Sequence, residues 1–450
     1  MRLDSLRPHA PALLGAALGM AVVCWLGLLD FGWSDYETEA APAFAALLKG
    51  DVRAFLELAP SYGGSLVLRA PAAALPALWG GDELAVWRMG SIFCLLAAGA
   101  FGVWLVARMR AEGQTLLARA TALGLCVASP LMVRALEIGH PEEILGAVLA
   151  VSAVIAAGGR RTTLAGVLLG LAIATKMWAL LAVGPVLLAL PAGRWRALLV
   201  AGAIAALVNG PVLLADHQSF AQKGVSMTQT GTIFHPWQAW WFLGDDGTVV
   251  LDGRGEVIEG GRAAPAWLTG ITHPLIVVIA IPLTFALWRV RRGRVSPADA
   301  LALLVLLLHL RCLLDVWNNV YYSIPAVLAL LAWETLHRRR PPALTLLATV
   351  LVWVSFEELR GLPRDAIAAI YLAWAVPAAL LLAGHLWHRR PIVSQRSTPL
   401  DSGTGLVQPS SPLDGRSQVV HMAADHWAAK QSSWPERHGA GPGHWYSTYL

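Results

Sequence analysis

Long apolar runs of about 20 residues, parted by short links that carry arginine or acids, leave this chain few ways to fold. A helix needs about 20 apolar residues to cross roughly 30 Å of hydrocarbon, where every backbone N–H and C=O must be satisfied within the protein. The runs give twelve candidate spans, near 10–29, 84–107, 115–133, 143–158, 162–175, 177–191, 196–214, 267–288, 298–314, 317–335, 342–356 and 366–387. The expected fold class is all-α, a polytopic helical membrane protein with about 12 transmembrane helices. A hydrophobic share of 56% against 14% charged residues agrees, and excludes an ordinary soluble enzyme. The weakest division is 162–191, where Lys176 interrupts an apolar run that reads as one tilted helix or two short ones.

Charge sets the expected orientation. Arg2 and Arg7 precede the first run, which lacks a small-residue cleavage site and reads as a retained span with its N-terminus in the cytoplasm. Alternating from there gathers Arg108, Arg110, Arg119, Arg160, Arg161, Arg194, Arg196, Arg289, Arg291, Arg292, Arg294, Arg338 to Arg340, Arg389 and Arg390 on the inner side, as the positive-inside rule requires. The net charge of +5 thus reports topology, and no nucleic-acid partner is expected. Cys24, Cys94, Cys126 and Cys312 show no CxxC spacing and read as apolar fillers, with no metal expected.

The chain divides into a multi-spanning domain, 1–390, and a tail, 391–450, rich in Ser, Pro, Gly, His and Gln that reads as a disordered cytoplasmic extension. Two outside loops are long, 30–83 and 215–266. The first holds a helix-like stretch, Ala43 to Leu58, and a Pro-bounded apolar stretch, Leu66 to Trp79, both expected to lie along the interface. An ionisable group at the centre of a span costs about 2.5–3.5 kcal/mol, so polar clusters at the ends of spans mark candidate chemistry.

Asp35, Glu37 and Glu39 follow the first span, where a carboxylate has the means to deprotonate an acceptor hydroxyl. The link from Arg134 to Glu143 packs a guanidinium, His140 and acids around Gly139 and Pro141; Glu142 and Glu143 also fit a simple helix-start role. Lys176, one of only four lysines, suits a lipid phosphate, or else snorkels from a helix end. The segment Arg311 to Tyr322 offers amides and aromatics, including Asn318 and Tyr321, with Asp315 spaced to pair with Arg311 at i,i+4. Phe234 to Phe242 has three tryptophans in five residues, an interfacial anchor or, with His235, Trp237 and Gln238, a lid over a site.

In this order, an acidic stretch after span one, the GHPEE turn (139–143), GLAIATK (170–176) and RCLLDVWNNVY (311–321), the motifs resemble those of the GT-C superfamily of integral-membrane glycosyltransferases, nearest to bacterial polyprenol-phosphate-mannose-dependent mannosyltransferases. The resemblance covers about residues 10–387. It implies a GT-C type fold with interfacial helices in the first outer loop, set in the inner (plasma) membrane with both termini cytoplasmic. It implies transfer of a sugar, mannose favoured, from a polyprenyl-phosphate carrier to a lipid or glycan acceptor on the outer face, with inversion and no cofactor. Asp35 is then the base, with Glu37 the alternative. Lys176, Arg134, His140 and Arg311 would hold the donor phosphate, and Glu142, His235, Trp237, Asn318 and Tyr321 would contact sugar or acceptor. The rival from another class is a polytopic lipid or solute transporter, for which the paired halves common in transporters are not evident in the sequence.

Overall fold

An 18-residue run without a charged side chain starts the bundle as helix α1 (Ala10–Gly27). The computed structural model describes residues 9–29, 35–60, 63–215, 233–245, 261–338 and 340–388. Four short helices follow: α2 (Asp35–Glu39), α3 (Ala41–Leu48), α4 (Val52–Leu58) and α5 (Gly64–Ala73). The stretch from Ala43 to Leu58 is therefore two helices, not one. Gly50 takes a left-handed φ of 78° between them, and Asp51 restarts the chain by accepting from Ala54 N at 2.9 Å.

Helix α6 (Glu83–Ala111) is capped by Asp82, and α7 (Leu116–Val127) by Thr115. Next come α8 (Pro130–Ile138), α9 (Glu142–Gly158) and α10 (Thr162–Thr175). At Lys176 the backbone turns extended, with φ −152° and ψ 135°, before a 3-10 segment, Met177–Ala182, leads into α11 (Val183–Ala189). The run from 162 to 191 is thus two short helices with the lysine at the break. Helix α12 (Arg194–Ala215) packs on α10 through Gly166 and Gly170, where an added Cβ would sit 2.7 and 2.5 Å from the carbonyl oxygens of Ala197 and Ala201. Small residues at this spacing let helix backbones approach closely.

Two short strands, β1 (Ile233–Phe234) and β2 (Arg262–Ala263), pair antiparallel within the second long loop. The remaining helices are α13 (Ala266–Thr269), α14 (Thr272–Val290), α15 (Pro297–Leu314), α16 (Ile324–His337), α17 (Ala343–Trp353) and α18 (Arg364–His388). A 3-10 turn, Val320–Ser323, precedes α16, and a π-helical segment, Val354–Glu358, ends α17.

Among the described residues, seven stretches are long and apolar enough to cross a membrane: 10–27, 83–111, 116–138, 194–215, 272–290, 297–314 and 364–388. The other apolar runs form shorter helices, because the polar breaks at Gly139–Pro141, Lys176 and Asn318–Asn319 interrupt them. The protein is a multi-pass, all-helical membrane protein with about seven candidate spans plus these shorter apolar helices. At its centre, α9 buries thirteen of its seventeen residues, as a helix apolar on all sides should. Helix α15 is nearly as enclosed. The tail reading for 391–450 falls outside the described residues, as do 1–8, 30–34, 216–232 and 246–260 of the termini and long loops.

Candidate active site

Helix α8 ends at Gly139, whose φ of 99° few residues with a side chain tolerate. A Cβ there would lie 2.5 Å from Tyr36 N and 3.0 Å from Tyr36 Cβ, so its absence lets α2 rest directly on the turn. Tyr36 is buried behind that contact, against the rings of Phe44 at 6.4 Å and Trp87 at 6.2 Å. The first loop and the GHPEE turn thus meet, and His140 lands beside Asp35.

His140 joins two carboxylates. Its Nε2 lies 2.9 Å from Asp35 Oδ2 and its Nδ1 2.8 Å from Glu142 Oε1. Burial and the Lys176 ammonium oppose protonation of the ring, but the hydrogen bonds to Asp35 and Glu142, with the Glu142 charge, outweigh them and raise its pKa to about 9. Near neutral pH both nitrogens therefore donate, and His140 is a cation.

Glu142 collects three cations. Besides His140, Lys176 Nζ lies 3.0 Å from Oε1, and Arg69 Nη2, from α5, lies 3.4 Å from Oε2 as an ion pair without hydrogen-bond geometry. Glu143 points the other way and receives Arg311 across both oxygens, at 3.2 and 3.4 Å. Arg311 is sandwiched by rings, 4.3 Å from the centroid of Tyr322 and 5.1 Å from that of Trp178. The Tyr321 ring lies 4.7 Å from that of His140. Glu142 and Glu143 are each 1% exposed, so both charges depend on these partners; removing one partner of a buried pair typically costs about 3–5 kcal/mol.

The node is most open at Asp35, whose side chain is 33% exposed against 12% for Lys176 and 7% for His140. Glu39 lies one helical turn on, and burial raises its pKa while His140 and Lys176 pull it back. Asp35 thus presents an accessible, hydrogen-bonded carboxylate with a second, harder-to-ionise carboxyl, Glu39, one turn away. Glu37, on the same helix, makes no hydrogen bond or ion pair among the described residues.

Several expectations from sequence change here. Lys176 does not snorkel; it is held on a buried carboxylate. Asp315 does not pair with Arg311 but with His273, at 3.1 Å, while Arg311 crosses to Glu143. Glu142 and Glu143 are network members and not simple caps. Arg134 stands outside the node: it bonds Glu137 at 2.9 Å and Glu357 at 3.2 Å, tying α8 to the π-helical segment. Arg69, absent from the sequence-level candidates, is a full member of the node, and its signal was a lone arginine inside the apolar run of α5.

The tryptophan segment forms a separate cluster. Trp237 Nε1 donates to Ser355 O at 2.7 Å, and its ring stacks on Phe356 at 4.6 Å. Trp240 Nε1 donates to Leu314 O at 2.8 Å, and Trp241 Nε1 to Asp365 at 2.7 Å. Asn318 Nδ2 donates to Trp237 O at 2.7 Å and to the Tyr371 hydroxyl at 3.1 Å. His235 stacks on Trp237, 6.5 Å between centroids, and burial, helped by Arg364, lowers its pKa to about 4. The segment is a strap bonded to helix ends. Residues 311–322 serve both clusters: Arg311, Tyr321 and Tyr322 join the node, while Asn318 bonds the strap and Asp315 bonds His273 at the start of α14.

Comparison with curated proteins gives no significant match. Residues 63–315 match the family model for glycosyltransferase family 87, a stretch that carries Arg69, His140, Glu142, Glu143, Lys176 and Arg311, while Asp35 and Tyr321 lie beyond it. With more than half of its length matched, the chain belongs to glycosyltransferase family 87, a family of GT-C type membrane glycosyltransferases.

Proposed function

We propose that this glycosyltransferase moves a sugar, mannose favoured, from a polyprenyl-phosphate carrier to a lipid or glycan acceptor on the extracytoplasmic face of the plasma membrane, with inversion and with both chain termini cytoplasmic. The observation that carries the reading is Asp35: the partly exposed end of an otherwise buried chain of alternating charge through His140, Glu142 and Lys176. In this mechanism Asp35 takes the proton of the acceptor hydroxyl as that oxygen attacks the anomeric carbon. The bond from anomeric carbon to phosphate oxygen breaks on the opposite face, which inverts the centre. The departing polyprenyl phosphate gains charge, and in this reading the Lys176 ammonium, with the charge of the His140 imidazolium behind it, offsets that charge.

Glu142 keeps both cations in place, and in this reading Tyr321, its ring tilted against His140, walls the sugar side. Arg311 supports the phosphate region through Glu143, and Arg134 acts at a distance by fixing α8. In this reading His235, Trp237 and Asn318 bound the acceptor side as parts of the strap. Glu37 is the alternative base, two residues along.

The test is turnover by purified protein in lipid nanodiscs, against a panel of polyprenyl-phosphate sugars and a lipid acceptor. Transfer from one of them, with an inverted anomeric linkage in the product and loss of turnover in Asp35→Asn, is the expected result. Transfer from a nucleotide sugar instead, with none from any polyprenyl donor, would overturn it.

A further inference from the structure

A cavity of about 800 Å³ lies at the other end of α9 from the charged node, between α6, the C-terminal half of α9, the start of α10 and the facing ends of α15 and α16. That size falls within the roughly 300–1,000 Å³ of ordinary ligand sites. Its wall is hydrocarbon, with Phe101, Val148, Leu168 and Leu301 among the lining side chains. Trp104 and Leu164 line it too and are 40% and 42% exposed, so the cavity reaches the outer, apolar surface of the bundle between α6 and α10.

The lining changes character at the helix ends. Arg108 and Arg161 stand there with Glu112 and His337. Arg108 Nη2 lies 3.8 Å from Glu112 Oε1 with its side chain 58% exposed, and Arg161 is exposed, so the lining carries two guanidinia and one carboxylate. Arg110 and Arg160 flank the same end and are exposed as well. A hydrocarbon slot open to the lipid side with a cationic rim fits a molecule that is apolar along its length and anionic at its head. Basic pockets between membrane helices recognise phospholipid headgroups in this way.

We propose that this cavity binds an anionic phospholipid of the surrounding leaflet, one acyl chain in the slot and the headgroup phosphate on Arg108 and Arg161. The site is separate from the proposed donor site, and the inference does not depend on that reading. It touches the same helix, however. Val148 stands six residues from Glu142 on α9, about 9 Å along the axis, so the chain fills space beside the helix that carries both buried glutamates.

The experiment is native mass spectrometry of the full-length protein released from nanodiscs of phosphatidylcholine doped with phosphatidylglycerol. Selective retention of phosphatidylglycerol is expected. Arg108→Ala and Arg161→Ala should each weaken retention roughly fivefold, the factor one Lys or Arg contributes near an anionic surface. Ser152→Phe, placed to fill the slot, should abolish retention while Ser152→Ala does not. Thermal melting in pure phosphatidylcholine confirms that each variant is folded; if Ser152→Phe is not, the two arginine variants carry the test. Equal retention of both lipids, or unchanged retention in the double arginine variant, overturns the proposal. Displacement of the lipid by millimolar inorganic phosphate would show an anion site indifferent to the hydrocarbon chain, and overturns it equally.

Discussion

The charged node around Glu142 and the tryptophan strap at 233–245 were flagged by the same kind of signal, polar groups beside apolar runs, yet their polar atoms are satisfied in opposite ways. In the node, side-chain charge answers side-chain charge: His140, Lys176 and Arg69 converge on Glu142, and Arg311 meets Glu143. In the strap, two of the three tryptophan donors end on backbone carbonyls, Trp237 on Ser355 and Trp240 on Leu314, and the third on Asp365. A backbone carbonyl neither titrates nor moves far, so the strap is fastening. Titratable groups that hold one another respond to a phosphate or a proton, which is why the node is the proposed place of reaction.

The comparison breaks first at Asp35. Asp35→Asn should lower transfer by about 10²–10⁴ while the protein still folds, since the amide keeps the size and loses the proton acceptor. Trp237→Phe should change turnover far less. Turnover of the two variants side by side decides it, and a deeper loss in the strap variant would reverse the assignment of roles.

Glu142→Gln should destabilise the fold by about 3–5 kcal/mol, because Lys176 and Arg69 would then be buried without their carboxylate. Adding Lys176→Met should restore part of that loss. Unfolding in denaturant of the single and double variants measures the coupling, and strict additivity would mean that the pair does not interact.

The two regions should also part company with pH. The pKa of His140 is raised from 6.5 to about 9, so its contribution is fully present below 6.5 and is lost as pH rises through 9. The pKa of His235 is lowered from 6.5 to about 4, so its contribution is present above 6.5 and is lost as pH falls toward 4. Hydrogen exchange should show residues 139–143 loosening in alkali and 233–243 in acid. The same sign in both segments would contradict the protonation states described above. Among the smaller effects, Trp237→Phe should cost about 1 kcal/mol for its lost hydrogen bond beyond the packing change, and Glu37→Gln should leave stability unchanged within error, both read from melting curves.

How much of this was legible without coordinates depends on range. Helices written in continuous apolar runs, such as α6 and α15, were readable because hydrocarbon imposes length and composition together. Lys176 was readable because a lone ammonium in such a run demands a partner. Arg69 gave the same signal and was passed over inside a stretch read as interfacial. What local pattern could not supply was pairing. Arg134 and Arg311 look alike in sequence, each near the end of an apolar helix, and only tertiary packing sends one to Glu357 and the other to Glu143, 168 residues away. The i,i+4 partner expected for Arg311 lost to that distant carboxylate. The family match adds reaction class where the geometry alone gives charge, and it leaves the transporter alternative behind.

The contact made possible by Gly139 has a consequence for the newborn chain. Asp35 leaves the ribosome long before His140, 105 residues later, and the two can meet only once α8 and the bare turn at its end have been delivered. Glu142 then waits a further 34 residues for Lys176, and Glu143 far longer for Arg311. Glu143 thus spends the middle of synthesis without its cation, and Glu142 with Arg69 and His140 but not Lys176, in a helix that is largely buried in the finished bundle. The charge pairing of α9 is accordingly completed only by helices that have not yet been made when it first emerges.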